Sequence, residues 1–273
     1  MKTIEEVLNY HKLNKNDEIF AKVLQDPSIV GFDKNFYSSK SKEHRRDLII
    51  GEYFIMLSEE LGKIGSNILM SGQWSYETPD WFDHRHHFLD WENQSKNNWA
   101  ESVSLVTRLL PRNGTVLNIC AGDTFFDCKF LKQISSQITC VDIDNANEYK
   151  NYLIKKHSAP NIEYVYNDIM VFEPKENFYD VVWMRSAIEH FSEENQIKLF
   201  NKIKKSLKTG GWYCGDTPAN PEKYLNKEHS AHENEWLDIK EAENTLKAVF
   251  DEVHVYSLHC NKDNRTTIFW YCR

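Results

Sequence analysis

Residues 114–144 constrain the fold of this chain more than any other stretch of its sequence. They begin with a short apolar run, continue through a turn around Gly122, and then carry aromatic residues at helical spacing. A second apolar run follows and contains Asp142 near its end. A strand, turn, helix and strand of this length form a parallel βαβ unit, whose first turn and second strand end meet at one sheet edge. Such an edge binds nucleoside cofactors, and the acidic residue there accepts hydrogen bonds from ribose hydroxyls.

The rest of the chain repeats the alternation of apolar runs and helical segments. Further strands are predicted at residues 162–165, 178–183, 212–214, 253–259 and 266–272. Helices are predicted at residues 145–157, from Ser192 to residue 208, and at residues 238–249. Five βα repeats followed by a hairpin predict an α/β fold with a doubly wound sheet, mostly parallel, with a terminal antiparallel strand.

Residues 1–98 are predicted to form a helical extension that ends in a cap rich in aromatic residues and histidine. The cap either packs the extension onto the sheet domain or forms a wall over a polar acceptor, with His86 and His87 in contact with it. A metal site at His84, His86 and His87 would need further ligands that the local sequence does not identify. The extension could also serve in dimerisation, so a homodimer is among the expected assemblies.

Charge and cysteine content exclude several classes of function. The net charge is −8 and the pI about 5.8, which disfavours a broad electrostatic grip on nucleic acid or on an anionic membrane. The six cysteines include no CxxC pair, which argues against a zinc knuckle or a redox dithiol. No signal peptide or apolar run of about 20 residues is visible. We therefore expect a cytoplasmic protein with a small-molecule partner and no predicted metal site.

Several short motifs occur in a characteristic order along residues 99–273. They read TVLNICAGDTFF, ITCVDID, YNDIM, FYDVVWMRSAIEHF and LKTGGWYCGDTP. In this order and spacing the chain resembles the class I S-adenosylmethionine-dependent methyltransferases. The resemblance implies a Rossmann-like methyltransferase domain over residues 99–273, with S-adenosylmethionine as the methyl donor.

The resemblance also implies a set of donor-binding residues. They are Asn118, Cys120, Ala121, Gly122, Asp142, Ile143, Asp168, Ile169 and Met184. The first motif departs from the family pattern, because Asn118 stands in place of an acid and Cys120 and Thr124 stand in place of glycines. Only Gly122 remains, and glycine matters where a turn needs a positive φ or a close backbone approach.

Acceptor residues are expected on the loops that follow the strands. If the acceptor is a hydroxyl, a general base must take its proton, and His190, Asp216 and His232 are the candidates. Contacts with the acceptor are expected from Arg185, Glu189, His86, His87 and His229. The structural alternatives are an ion pair between Arg185 and Glu189, a helix-entry hydrogen bond at Glu189 and His190, and a solvated polar loop around His229.

Together these patterns predict methyl transfer to a small polar acceptor, at oxygen. A carbohydrate or nucleotide-sugar hydroxyl is the leading acceptor class. N-methylation of a small amine is the nearest alternative, and a methyltransferase fold that binds without catalysis is an alternative of a different class.

Overall fold

The computed structural model describes residues 95–122, 124–143, 158–222, 232–260 and 265–273, together with residues 154 and 155 and scattered residues between 39 and 62. The chain divides into two compact units, Met1–Asp80 with His84–Asp90, and Trp81–Asp83 with Trp91–Arg273. In the first unit, Ser41 Oγ accepts a hydrogen bond of 3.2 Å from the backbone N–H of His44, and the described residues from His44 to Gly62 are helical. The predicted domain boundary at residue 98 stays a prediction.

The second unit contains four described α-helices and seven strands. The helices are α1 (Ser95–Leu109), α2 (Phe125–Lys129), α3 (Glu193–Ser206) and α4 (Ile239–Lys247). The strands are β1 (Gly114–Ile119), β2 (Ser135–Asp142), β3 (Ile162–Tyr166), β4 (Tyr179–Arg185), β5 (Leu207–Pro218), β6 (Val253–Cys260) and β7 (Arg265–Cys272). Short 3₁₀ turns lie at Leu131–Gln133 and Ile188–His190.

The strands form one sheet in the order β3-β2-β1-β4-β5-β7-β6. β7 runs antiparallel to both of its neighbours, while the pairs among β1 to β5 are parallel. The predicted α/β class, the mostly parallel sheet and the terminal antiparallel strand are therefore confirmed. The strand order reverses between β1 and β4, and the crevice at the carboxyl ends of these two strands is where open α/β sheets bind ligands.

The central strands are buried on both faces, as expected for parallel strands covered by helices. Tyr213, Trp236 and Trp270 fill the core beside them, each with at most 1% of its surface exposed. α3 has Ser192 as its N-cap, as predicted, and the Ser192 side chain accepts a 3.4 Å hydrogen bond from the N–H of Asn195. No helix in the described part of the chain is long and apolar enough to cross a membrane.

The predicted boundary between α3 and β5 is wrong. The helix ends at Ser206 instead of residue 208, and β5 begins at Leu207, well before the predicted residues 212–214. Two features end the helix early. The carbonyl of Ser206 accepts a 2.9 Å hydrogen bond from the N–H of Phe178, and Leu207 pairs with Tyr179 in the sheet. Sheet pairing outweighs the local helical pattern at this point.

Candidate functional site

The turn after β1 has a left-handed backbone at alternate residues. φ is 54° at Cys120, 56° at Gly122 and 60° at Thr124. Between them, the N–H of Ala121 donates a 3.2 Å hydrogen bond to the carbonyl of Val141 and so ties the turn to β2. The turn favours glycine at three positions, but only one of them is glycine. At the other two positions, the left-handed conformation costs roughly 1 kcal/mol of stability per residue.

Asp142 lies beside this turn, at the carboxyl end of β2. Its Oδ2 accepts a 2.8 Å hydrogen bond from the N–H of Gly122. A Cβ placed on Gly122 would meet nothing within 4 Å, so the backbone is open on that side. β2 ends at Asp142 rather than continuing through the predicted apolar run, and Ile143 is 68% exposed. A carboxylate, an open backbone and an exposed apolar side chain suit a bound nucleoside.

Asn118 is buried, and its amide donates a 2.7 Å hydrogen bond to Asp127 Oδ2 in α2. Sequence reasoning missed Asp127. The only signal was a single acid inside the aromatic run FFDCKF. The family motif has an acid at position 118. In this chain Asp127 supplies a carboxylate that contacts the side chain at that position.

Asp168 and Ile169 follow β3 in a tightly held turn. Asp168 Oδ1 accepts a 2.8 Å hydrogen bond from the N–H of Met170. The ammonium of Lys202 donates to the carbonyls of Ile169, Met170 and Phe172 at 3.1, 2.8 and 2.8 Å. Ile169 is 3% exposed, so it packs as part of the core beneath the sheet edge.

The thiol of Cys120 is affected by carboxylates from both the predicted donor-binding and the predicted acceptor-binding residues. Burial raises the pKa of this thiol above 9.0, and the charges of Asp142, Glu189 and Asp168 raise it further, in that order. The charges of predicted donor-binding and acceptor-binding residues therefore act on the same thiol.

Glu189 lies in the 3₁₀ turn after β4 and is 2% exposed. Its carboxylate accepts a 2.8 Å hydrogen bond from the hydroxyl of Thr217 in β5. Burial raises the pKa of Glu189 to about 8, although a backbone hydrogen bond and the bond from Thr217 lower it. The carbonyl of Glu189 accepts the N–H groups of Glu233 and Asn234 at 2.8 and 3.2 Å.

The imidazoles of His190 and His232 meet edge to face beside Glu189. Their ring centroids are 4.8 Å apart, with His190 exposed and His232 buried. His232 Nδ1 hydrogen-bonds to the carboxylate of Glu235, which also accepts a bond from the side-chain amide of Asn220. One ligand atom from each of Glu189, His190 and His232 lies within 4.8 Å of the other two. The structure therefore brings together two predicted bases and one predicted acceptor contact.

Asp216 is buried between α1 and the turn after β4. Its carboxylate accepts hydrogen bonds from the hydroxyl of Ser102 and, at 3.1 Å, from that of Ser186. Burial raises the pKa of Asp216, while Arg185 and the two serines lower it. This carboxylate binds several groups of the protein itself, as expected for a residue that positions its neighbours.

Arg185 pairs with Asp216, at 3.9 Å from Nε to Oδ2, and its alternative partner Glu189 binds Thr217 instead. The guanidinium lies over the ring of Phe126, 4.7 Å from its centroid, and the side chain is 13% exposed. Met184 is fully buried, and its sulfur accepts a 3.6 Å hydrogen bond from the hydroxyl of Tyr213. Both side chains are therefore largely buried at the carboxyl end of β4.

Three predicted contacts of the acceptor, His86, His87 and His229, lie outside the described residues, as does His84. Their predicted roles stay predictions. Asn220 and Glu235 were missing from the predicted site. Asn220 belonged to the polar cluster recognised after β5, but Glu235 carried no signal because its role depends on contacts made through the fold.

Residues 73–258 match a sequence family described as a methyltransferase domain, which covers more than half of the chain. A search of curated proteins found no match.

Solved structures with a similar fold come from several organisms. The PH0226 protein of Pyrococcus horikoshii is 16% identical, with a TM-score of 0.54 over 68% of this chain and 94% of that chain. A SAM-dependent methyltransferase from Aquifex aeolicus is 14% identical, with a TM-score of 0.50 over 68% and 95%. Haemonchus contortus phosphoethanolamine N-methyltransferase 2 in complex with S-adenosyl-L-methionine is 16% identical, with a TM-score of 0.52 over 64% and 52%. At these identities the likeness shows the fold.

Proposed function

Because this chain belongs to the methyltransferase-domain family and is an S-adenosylmethionine-dependent methyltransferase, we propose that it methylates a hydroxyl group of a small polar acceptor. The predicted family, enzyme class and methyl donor are confirmed, and the acceptor is the subject of the proposal. S-adenosylmethionine supplies a methyl group that is already activated on a sulfonium. The residues of the protein therefore have to bind the donor, orient the acceptor and receive its proton.

Donor binding is assigned to the edge formed by β1, β2 and β3. The carboxylate of Asp142 can accept further hydrogen bonds besides the one from Gly122, and it accepts these from the ribose hydroxyls. Ile143 and Asp168 lie beside the adenine, and Ile169 packs in the core beneath them. The open backbone at Gly122, with Cys120 and Ala121, lets the donor approach closely. Asn118, supported by Asp127, and Met184 lie at the amino acid end of the donor.

The convergence of Glu189, His190 and His232 carries the assignment of a hydroxyl acceptor. Their ligand atoms lie within 4.8 Å of one another, and the charge of Glu189 acts on the thiol of Cys120 in the turn after β1. His190 is exposed and accepts the hydroxyl proton, while Glu235 fixes the orientation of His232 through Nδ1. Asp216 acts as a positioning residue through Arg185 and Ser186.

A carbohydrate or nucleotide-sugar hydroxyl suits this cluster, because one carboxylate and two imidazoles can hydrogen-bond several hydroxyl groups. The net charge of −8 supports a small-molecule acceptor over nucleic acid or an anionic membrane. We place the activity in the cytoplasm, and a homodimer formed through the N-terminal extension remains part of the proposal.

The test is methyl transfer from methyl-labelled S-adenosylmethionine to a panel of sugars, nucleotide sugars and small amines, with the methylated atom identified by NMR. We expect an O-methyl product. His190→Ala should lower the rate by about 10²- to 10⁴-fold with donor affinity unchanged. His254→Ala is the matched control, because His254 is also exposed and beside a carboxylate, Glu252 at 3.0 Å, but lies at the start of β6. A methyl group found on nitrogen, or a normal rate in His190→Ala, would contradict the proposal.

A further inference from the structure

We propose that Glu189, His190 and His232 bind a divalent transition-metal cation, which holds the acceptor hydroxyl and lowers its pKa. This inference rests on the proposed function for its catalytic consequence, although the binding of the cation can be measured without donor or acceptor. It assigns His190 a different role, because an imidazole that binds a cation cannot also take the proton.

The three side chains form a ligand set suited to such a cation. One carboxylate and two imidazoles are donors that zinc and its neighbours in the first transition row accept. Their ligand atoms lie within 4.8 Å of one another, whereas ligands bonded at about 2.1 Å stand roughly 3.0–3.4 Å apart. His190 is the exposed member, so a rotation of its side chain can close the remaining gap.

The buried side of the cluster is already organised for binding. His232 engages Glu235 through Nδ1, so its ring would bind a cation through Nε2, and Asn220 holds the other oxygen of Glu235. A carboxylate behind a ligating imidazole is the usual arrangement in metal sites, because it fixes the tautomer and the orientation of the ring. Thr217 orients the Glu189 carboxylate in the same way.

The two segments that carry the ligands are locked together through the backbone. The N–H groups of Glu233 and Asn234 both donate to the carbonyl of Glu189. Gln196 is fully buried, and its side-chain amide donates to the carbonyls of Ile188 and Asn234 at 3.0 and 2.9 Å. The spacing between the turn after β4 and residue 232 is therefore fixed by the fold.

The burial of Glu189 also favours a cation. Its carboxylate is 2% exposed, and within the described part of the chain it forms no ion pair with a lysine or an arginine. Burial makes the ionised form of this carboxylate costly, and a bound divalent cation would stabilise that form. The sequence predicted no metal site, since His190 and His232 approach each other only through the fold.

A bound cation changes how the acceptor hydroxyl loses its proton. The acceptor oxygen binds the cation, and its proton passes to water. A lone pair of that oxygen then forms the new bond to the methyl carbon, while the pair of the broken carbon–sulfur bond stays on the sulfur of the donor. The cation stabilises the negative charge that develops on oxygen, as a Lewis acid.

Binding is tested on tag-free protein freed of metal with a chelator and then titrated with Co²⁺, followed by calorimetry and visible absorption. We expect one saturable site per chain with absorption typical of nitrogen and oxygen ligands. His190→Ala and Glu189→Gln should weaken binding by more than about tenfold, and Glu235→Gln by about 10- to 100-fold. His254→Ala is the control that keeps wild-type affinity. No saturable binding by the wild type, or equal binding by His190→Ala and Glu189→Gln, would overturn the inference.

A second measurement separates this inference from the proposed function. Methyl transfer to the hydroxyl acceptor should fall after chelation and return on addition of Mn²⁺, Co²⁺ or Zn²⁺. Full activity in the chelator would overturn the inference and leave the proposed function standing with His190 as the base. Cation binding with transfer to nitrogen would overturn the proposed function and leave the cation site standing.

Discussion

Cys120 and Thr124 show at the scale of single residues how far this chain departs from its family pattern. The sequence shows that other residues replace two glycines of the first turn. The structure keeps the left-handed conformation at both positions and accepts the strain. Strain of this size is retained only where the surrounding structure fixes the backbone, and here β1, β2 and α2 do so.

Replacing Cys120 with glycine should therefore stabilise the protein. Glycine adopts a positive φ without steric cost, so Cys120→Gly should raise the free energy of unfolding by about 0.5–1 kcal/mol in urea denaturation. Ala121→Gly is the matched control, because Ala121 has no positive φ and its replacement should lower stability. Equal losses in both variants would show that the turn gains nothing from glycine.

Residue patterns predicted several members of the site but not their contacts. Asp142 was placed from the acid that closes the second strand, and it does lie against the turn after β1. Arg185 pairs with Asp216 and not with the alternative partner Glu189, while its predicted contact with the acceptor stays a prediction. Partners that lie far away in the sequence, such as Glu235 for His232, follow from loop conformations that carry no periodic signal.

At the scale of secondary-structure elements, the carboxylate of Asp180 joins strands β1, β4 and β5 near their amino ends. Asp180 accepts hydrogen bonds from the N–H of Thr115 in β1 at 2.7 Å and from Lys208 in β5 at 2.7 Å. Burial raises the pKa of Asp180, but the bonds from Lys208 and Thr115 outweigh it and hold the pKa below its ordinary value of 3.8. This contact also explains why residues 207 and 208 join the sheet instead of extending α3.

Asp180→Asn should lower the free energy of unfolding at pH 7 by about 1 kcal/mol, because the hydrogen bonds lose a charged acceptor. A carboxyl with a lowered pKa in the folded state stabilises above its unfolded pKa and loses that effect as the pH falls through its folded pKa. The difference between variant and wild type should therefore shrink below pH 3.8. Asp251→Asn, in an exposed pair with Lys204, should change little at any pH. A difference that stays constant down to acid pH would contradict this account.

The close approach of β5 to β4 and β7 at Gly215 gives a second prediction about the packing of the strands. A Cβ on Gly215 would lie 2.2 Å from the carbonyl oxygen of Met184 and 2.5 Å from the ring of Trp270. Gly215→Ala should therefore destabilise the fold by about 1–3 kcal/mol, measured by urea denaturation. Ser257→Ala, on the edge strand β6, is the control and should stay within about 0.5 kcal/mol of wild type. A stable Gly215→Ala variant would show that the strands can separate without cost.

The fold of the whole molecule was the best predicted property. Apolar runs, helical spacing and motifs in a fixed order are local signals, and together they predicted the α/β class, the antiparallel final strand and the family. Element ends and site contacts were harder to predict, because they depend on pairing between strands and on side chains from separate loops. The acceptor stays a proposal, since its recognition depends on a cluster of three residues and on histidines outside the described part of the chain.

The most direct test of this account is calorimetric titration with S-adenosylmethionine of the wild type and of Asp142→Ala. One saturable site is predicted for the wild type. Removal of a charged hydrogen-bond acceptor costs about 1.5–3 kcal/mol, so Asp142→Ala should bind about 10- to 100-fold more weakly or not at all, with the folded state verified by circular dichroism. No saturable heat in the wild type, or unchanged affinity in folded Asp142→Ala, would contradict the central claim that this edge of the sheet binds the methyl donor.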